Sequence, residues 1–200
     1  MYAGTNIIDR LSGLSKEKQL LFGLLAAERF FICYKIFNRR EGFGNVVHLL
    51  ETMSLIERVI LGEKTNVELV NQYKGLVDES TPNMDDFGSV NSSLALNVSA
   101  IIYEGLNLVL KNERRILNNF SAFCKDSIDF LVLEIENYDR MELDKVLSNP
   151  LMKEELQIQN GIVSYLEKIG KVETRDIDSL RQMQSETLFC KLNFEQIFAE

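Results

Sequence analysis

The stretch Leu20–Phe37, LLFGLLAAERFFICYKIF, followed by the turn Gly42-Phe43-Gly44, decides how this chain folds. No proline interrupts Lys16 to Arg40, and Ser15 stands where an N-cap belongs. Gly42 tolerates the left-handed backbone common just past helix ends, so a helix over Lys16–Arg40 is expected. At about 100° per residue, Leu20, Leu21, Leu24, Leu25, Phe31, Ile32 and Ile36 fall on one arc, and Phe22, Phe30 and Phe37 fill much of the remainder. A helix apolar almost all round belongs at the centre of a bundle. In its middle stand Glu28 and Arg29. Sequence neighbours diverge by about 100° on a helix, so the two are poor partners for each other. A buried unpaired charge is costly, so each needs a counter-group on another helix or a cleft to reach into.

Working outward, 200 residues that are 46% hydrophobic are enough for one domain, 1–200, with a sizeable core. Only 2 prolines and 11 glycines punctuate the chain, which favours long helices over turn-rich sheet. The expected fold is all-α, a single-domain helical bundle of about seven to nine helices. A short helix is expected over Ile7–Ser12. Asn45 can cap a helix to Leu61 that Gly62 closes, and Thr65 with Glu68 reads as a capping box for a helix to about Gly75. Val77 to Ser89 is the clearest loop. Val90–Leu110 is helical, with small residues Ser92, Ala95 and Ser99 where a neighbour can come close; Asn97, Glu104 and Lys111 read as water-facing. Glu113–Tyr138 places Ile128, Leu131, Val132 and Ile135 at core spacing, with Asp126, Asp129 and Glu136 opposite. A short helix over Glu142–Leu147 precedes Asn149-Pro150, a strong start signal for a helix to about Ile169. Thr174–Ser185 is helical, and Phe189–Glu200 is helix or extended.

The net charge of -8 is uneven: residues 1–77 carry 10 basic and 8 acidic residues, residues 78–200 carry 12 and 22. That balance argues against a nucleic-acid surface and suits a basic partner if any. Cys33, Cys124 and Cys190 are odd in number and far apart, and read as reduced core thiols without metal or redox spacing. No basic leader or span of about 18 charge-free apolar residues is read, so a cytoplasmic, non-membrane location is expected.

Di-iron carboxylate bundles repeat Glu-x-x-His, but the one histidine, His48, follows Asn45 at that spacing. A metal site from Glu28, Glu104 and Glu155 is the remaining way to build such a centre, and no metal or other cofactor is expected. Gly42-Phe43-Gly44 is too short to cradle phosphate and turns the chain. Phe43 is either an exposed anchor for a partner or packs back on the helices. Asp85 and Asp86 either bind a cation or cap the helix that follows. Candidate binding residues are therefore Glu28, Arg29, Phe43, Asp85 and Asp86, with no catalytic set.

Phe22, Glu28-Arg29, Tyr34, Phe37, Gly42-Phe43-Gly44, Pro82 with Asp85-Asp86-Phe87, Ala95, Ser127, and Asn149-Pro150 with Glu155 and Gln159 together resemble the YjaG-like bacterial family of domains of unknown function, number 416. The likeness spans Lys18 to Leu166, with an echo at Arg175-Asp176-Ile177. It implies an all-α bacterial cytoplasmic domain without an assigned activity, linked to histidine-kinase signalling only by genome context. Departures from the family pattern are Ala27 for a Cys, Ile32-Cys33 for Pro-Asn, and Asn45 and Asn97 for two Asp. The expected function is an accessory or regulatory module that binds another protein. The alternatives are a ligand-binding protein or enzyme with a Glu28/Arg29 pocket, and an immunity protein whose acidic face at Asp126, Asp129, Glu136 and Asp139 covers a basic toxin.

Overall fold

The computed structural model describes residues 4–136 and 143–198, and among these every regular element is helical. In chain order they are α1 (Gly4–Ser12), α2 (Lys16–Glu41), α3 (Val46–Ile60), α4 (Val67–Ser80), α5 (Val90–Leu110), α6 (Arg114–Glu136), α7 (Leu143–Ser148), α8 (Pro150–Lys168), α9 (Thr174–Ser185), a 3-10 turn (Phe189–Lys191) and α10 (Phe194–Ile197). The all-α bundle is as expected.

α2 is the hub, packing most extensively on α5 and also against α3, α6, α8, α9 and α10. It ends where the sequence requires, with Gly42 at φ 64° donating its N–H to Asn38 O. Its closest approach is at Gly23, where a Cβ would lie 2.5 Å from Phe120 of α6. Phe22, Leu25, Phe30, Tyr34 and Phe37 are fully buried, but Ile32, expected in the apolar arc, is 40% exposed.

α5 is long and apolar enough to cross a membrane by length and composition, yet most of it is packed between α2, α4 and α6. That environment reverses one expectation. Asn97 and Glu104 are buried rather than water-facing, because α6 supplies Ser127 and Asn119 opposite them. Only Lys111, past the helix end, is exposed.

Several boundaries shift for identifiable reasons. Asn66 replaces Thr65 as the cap of α4, accepting from Leu69 N at 2.8 Å, since asparagine caps at least as well as threonine. α4 then continues to Ser80 and absorbs the first part of the expected Val77–Ser89 loop. Val77 is buried and the Ser80 carbonyl accepts from Tyr34 Oη at 2.6 Å, so tertiary contacts extend the helix to Ser80, and its cap Thr81 is already extended before Pro82. Ser89, not Asp85 or Asp86, caps α5. Asn45 and Asn149-Pro150 cap α3 and α8 as read. Ile135 is exposed, and Cys190 lies on the surface while Cys33 and Cys124 are core thiols. The end of the expected α6 and the start of the expected Glu142 helix lie outside the described residues.

Candidate functional site

The divergence of Glu28 and Arg29 is realised as two separate ion pairs. Glu28 receives Arg181 of α9 in a two-point grip, Nη2 to Oε1 at 2.5 Å and Nε to Oε2 at 2.9 Å. The same guanidinium also holds Glu57 of α3, Nη2 to Oε2 at 2.5 Å. This cluster is partly exposed, and the bond to Glu28, followed by that to Glu57, raises the Arg181 pKa against the opposing effect of burial. It ties α2, α3 and α9 at one point.

Arg29 points elsewhere, into the core. Its Nη2 donates to Glu155 Oε2 of α8 at 2.5 Å, with both side chains almost fully buried. Gln159 Nε2 donates to the other Glu155 oxygen at 2.6 Å, and Gln159 Oε1 accepts from Ser121 Oγ of α6 at 2.7 Å. Burial pushes the neighbouring Cys124 thiol well up; Glu155 adds to the rise and Arg29 opposes it. Arg29 Nε and Nη1 are buried without an oxygen or nitrogen partner, and the Cys124 thiol is the polar group beside the guanidinium. Such groups are costly to leave unmatched.

Arg29, Ile32 and Ile36 share one face of α2, spaced by three and four residues, and line a cavity of about 420 Å³. The other wall is the C-terminal segment, through Phe189, Leu192 and Phe194. That segment is fixed by aromatic contact: Phe189 meets Phe30 edge-on at 4.8 Å and Phe194 at 5.1 Å. Arg39 and Glu195 pair at the cavity's edge. The cavity is thus largely apolar along its walls, and Arg29, one of the residues that line it, turns its guanidinium from there into the core toward Glu155.

The other candidate residues are placed apart from this site. Phe43 is half-buried and packs on Phe87 and Phe37, with ring centroids 5.0 and 6.3 Å apart, so it anchors its own turn. Asp85 and Asp86 are exposed on the loop before α5. Glu28, Glu104 and Glu155 do not converge: Glu104 accepts from Asn107 and Asn119, away from the two ion pairs. Asp126 and Asp129 lie on α6, and desolvation raises both carboxyls; Asp139 lies outside the described residues. Sequence reasoning missed the C-terminal wall. The recurrence Phe189, Phe194, Phe198 was its only signal.

Comparison with known proteins gives a solved structure of the same architecture, a DUF416 family protein from Shewanella baltica OS155, with a TM-score of 0.75 over 90% of this chain and 93% of that one at 20% identity. At that identity the likeness concerns the fold. Two curated proteins named nucleoside diphosphate kinase also align in part. The one from Wolbachia sp. subsp. Drosophila simulans (strain wRi) is 28% identical over 54% of this chain and 73% of its own length. The one from Wolbachia pipientis wMel is 26% identical over 56% and 75%. The profile of the family described as "Protein of unknown function (DUF416)" matches residues 6–189, and the chain belongs to that family.

Proposed function

We propose that this protein is a non-enzymatic binding protein that takes an apolar carboxylate into the cavity between α2 and its C-terminal segment. The observation that carries the reading is Arg29: a buried guanidinium with two nitrogens that no oxygen or nitrogen acceptor matches, on the face of α2 that also supplies Ile32 and Ile36 to the cavity. Arg181 supports it by example, since that guanidinium already serves two carboxylates at once. Arg29 serves one. The ligand's hydrocarbon would lie against Phe189, Leu192 and Phe194, and its acid would share the guanidinium with Glu155. Glu28, engaged by Arg181, is left out of this chemistry and acts as structure.

Isothermal titration with medium-chain carboxylates tests the proposal. Saturable binding is expected for the parent and its loss for Ile32→Asp, which adds a negative charge at a partly exposed wall position without opening the core. No binding by the parent, or full binding by Ile32→Asp, refutes it.

A second reading, docking of a protein partner, is favoured by the outer face of α3 and its continuation. Val47, Leu50 and Leu61 are all exposed there and fall within about 60° of one another around the helix. Under this reading Leu50→Glu abolishes recovery of specific partners from the host; unchanged recovery refutes it.

A further inference from the structure

α3 keeps one side for solvent while its other sides pack on α2, α4 and α5. Its exposed residues are Val47, Leu50, Glu51, Ser54 and Arg58, and Leu61 extends the row just past the helix end. At about 100° per residue all six fall within an arc of about 100°, so they form one stripe. Its three large apolar side chains are between 37% and 57% exposed. An aligned apolar row of this kind marks a contact surface rather than scattered exposure.

The charges on the stripe say what covers it. Glu51 has no partner among the described residues, and Arg58 uses only Nε, on the exposed Glu63 at 3.2 Å. The two lie about 10.5 Å apart along the helix axis, too far to pair within one chain. The order of the stripe is nearly the same read from either end about Ser54. Two copies laid antiparallel therefore set Val47 against Leu61, Leu50 against the Arg58 stem, and each copy's Glu51 beside the other's Arg58. Laid parallel, they would set acid on acid and base on base, which repels. The surroundings permit the approach. The chain's acidity sits in residues 78–200, with 12 basic and 22 acidic residues, while residues 1–77, which include α3, carry 10 and 8. A stripe with one acid and one base has no net charge with which to select a strongly basic or acidic partner, and it matches its own inverse.

We propose that this stripe is the face of a two-fold homodimer in which two α3 helices pack antiparallel and cross at Ser54, the small residue that lets the backbones come close. The inference rests on the second reading above, that this face docks a protein, and identifies that protein as another copy of the chain. α3 has 15 residues and spans about 22 Å. One helix pair of that length is a small interface beside the roughly 1,200–2,000 Å² buried in stable complexes, so the dimer exchanges with monomer.

Sedimentation velocity of the full chain over roughly 1–500 µM is the test, with charge reversals to fix the register. The parent should shift from monomer to dimer as concentration rises. Glu51→Lys and Arg58→Glu, both at exposed positions, should each weaken the dimer at least tenfold, because each turns both cross-pairs into like-charge contacts. An equimolar mixture of the two variants should recover it, since in the mixed dimer both contacts are opposite in sign. Ser54→Cys should crosslink as a dimer under mild oxidation, with mass spectrometry placing the link at position 54 of both copies. A parent that is monomeric throughout, a mixture no tighter than either variant alone, or failure of Ser54→Cys to crosslink overturns the proposal. If a monomeric parent still loses host partners through Leu50→Glu, the docking face stands and only the second copy is discarded as its occupant; unchanged recovery discards both.

Discussion

Glu155→Leu tests most directly what locks α8 to the central helix. The Arg29 and Glu155 side chains are 2% and 1% exposed, and their contact is 2.5 Å. Removing Glu155 leaves Nη2 buried beside Nε and Nη1, which already lack an oxygen or nitrogen partner. Breaking a buried pair by deleting one member costs about 3–5 kcal/mol. At roughly 2–4 °C per kcal/mol for a chain of this size, the melting temperature should fall by roughly 6–20 °C. Arg29→Met should cost a similar amount, because it strands a carboxylate among Gln159, Cys124 and the apolar core. The double variant Arg29→Met/Glu155→Leu removes both charges, and apolar replacement of a buried pair is neutral or stabilising by about 1–4 kcal/mol. One debit remains, since Gln159 Nε2 loses its acceptor, a loss of about 1–3 kcal/mol. The double variant should therefore lie within about 3 kcal/mol of the parent and above either single variant. Urea denaturation of the four proteins gives the coupling free energy directly. If either single variant costs less than about 1 kcal/mol, or the double is no better than the worse single, the pair does not hold the bundle as argued.

Three further outcomes can be measured on the same footing. Gly44 has φ 82°, and a Cβ there would fall on Tyr34 Oη and 3.0 Å from the Ser80 carbonyl, whereas Gly42, at φ 64°, has open space around it. Gly42→Ala should cost about 1–2 kcal/mol, the left-handed penalty alone, and Gly44→Ala distinctly more by chemical denaturation; equal costs would contradict the Tyr34–Ser80 contact. Arg181→Met should cost about 1–2 kcal/mol, less than Glu155→Leu, since its pairs are partly solvated, and a larger loss would show that the α9 grip outranks the buried one. Asp129→Asn concerns pH: burial first, then Asp126, raise the Asp129 pKa in the folded state, and Lys125 opposes them. Folding therefore disfavours the carboxylate, and stability falls as pH rises from the ordinary aspartate value through the raised one. The variant should melt higher than the parent at neutral pH, with the gain gone below about pH 3.5; a gain that persists in acid would assign the effect to something other than this titration.

Much of the fold is legible in the sequence because its signals are local. Asn45, Gly42 and Asn149-Pro150 act within one turn of themselves, and their elements start or stop where expected. The misreadings arise where a distant group decides. Asn97 and Glu104 look like a solvent stripe until α6 brings Ser127 and Asn119 to them. Val77–Ser80 looks like loop until Tyr34 claims the Ser80 carbonyl from 46 residues away. Ile32 looks like core, but the C-terminal segment stands off from it and leaves a cavity. The site was legible only in part. The charged pair marks α2 by its improbability in apolar text, yet nothing local announces that Glu155, 126 residues away, meets Arg29.

The geometry of α2 also explains how one residue can serve both the fold and a site. Its side chains are dealt out at about 100° per residue, and successive polar groups are matched from different directions. Glu28 is held from α9, Arg29 from α8, Tyr34 bonds to α4, and Arg39 meets Glu195 of α10. Elements spread over the whole chain are thereby referenced to one rod. An apolar pair at positions 29 and 155 would hold α8 as well as the ion pair does, so stability alone does not account for a buried guanidinium with two nitrogens that no oxygen or nitrogen acceptor matches. Under the proposed function, ligand binding accounts for it. A carboxylate drawn to Arg29 would share the guanidinium with Glu155, so its affinity and the anchoring of α8 are linked, each changing the other by the same free energy. On this reading the clasp is the means by which occupancy of the α2 cavity is felt across the bundle.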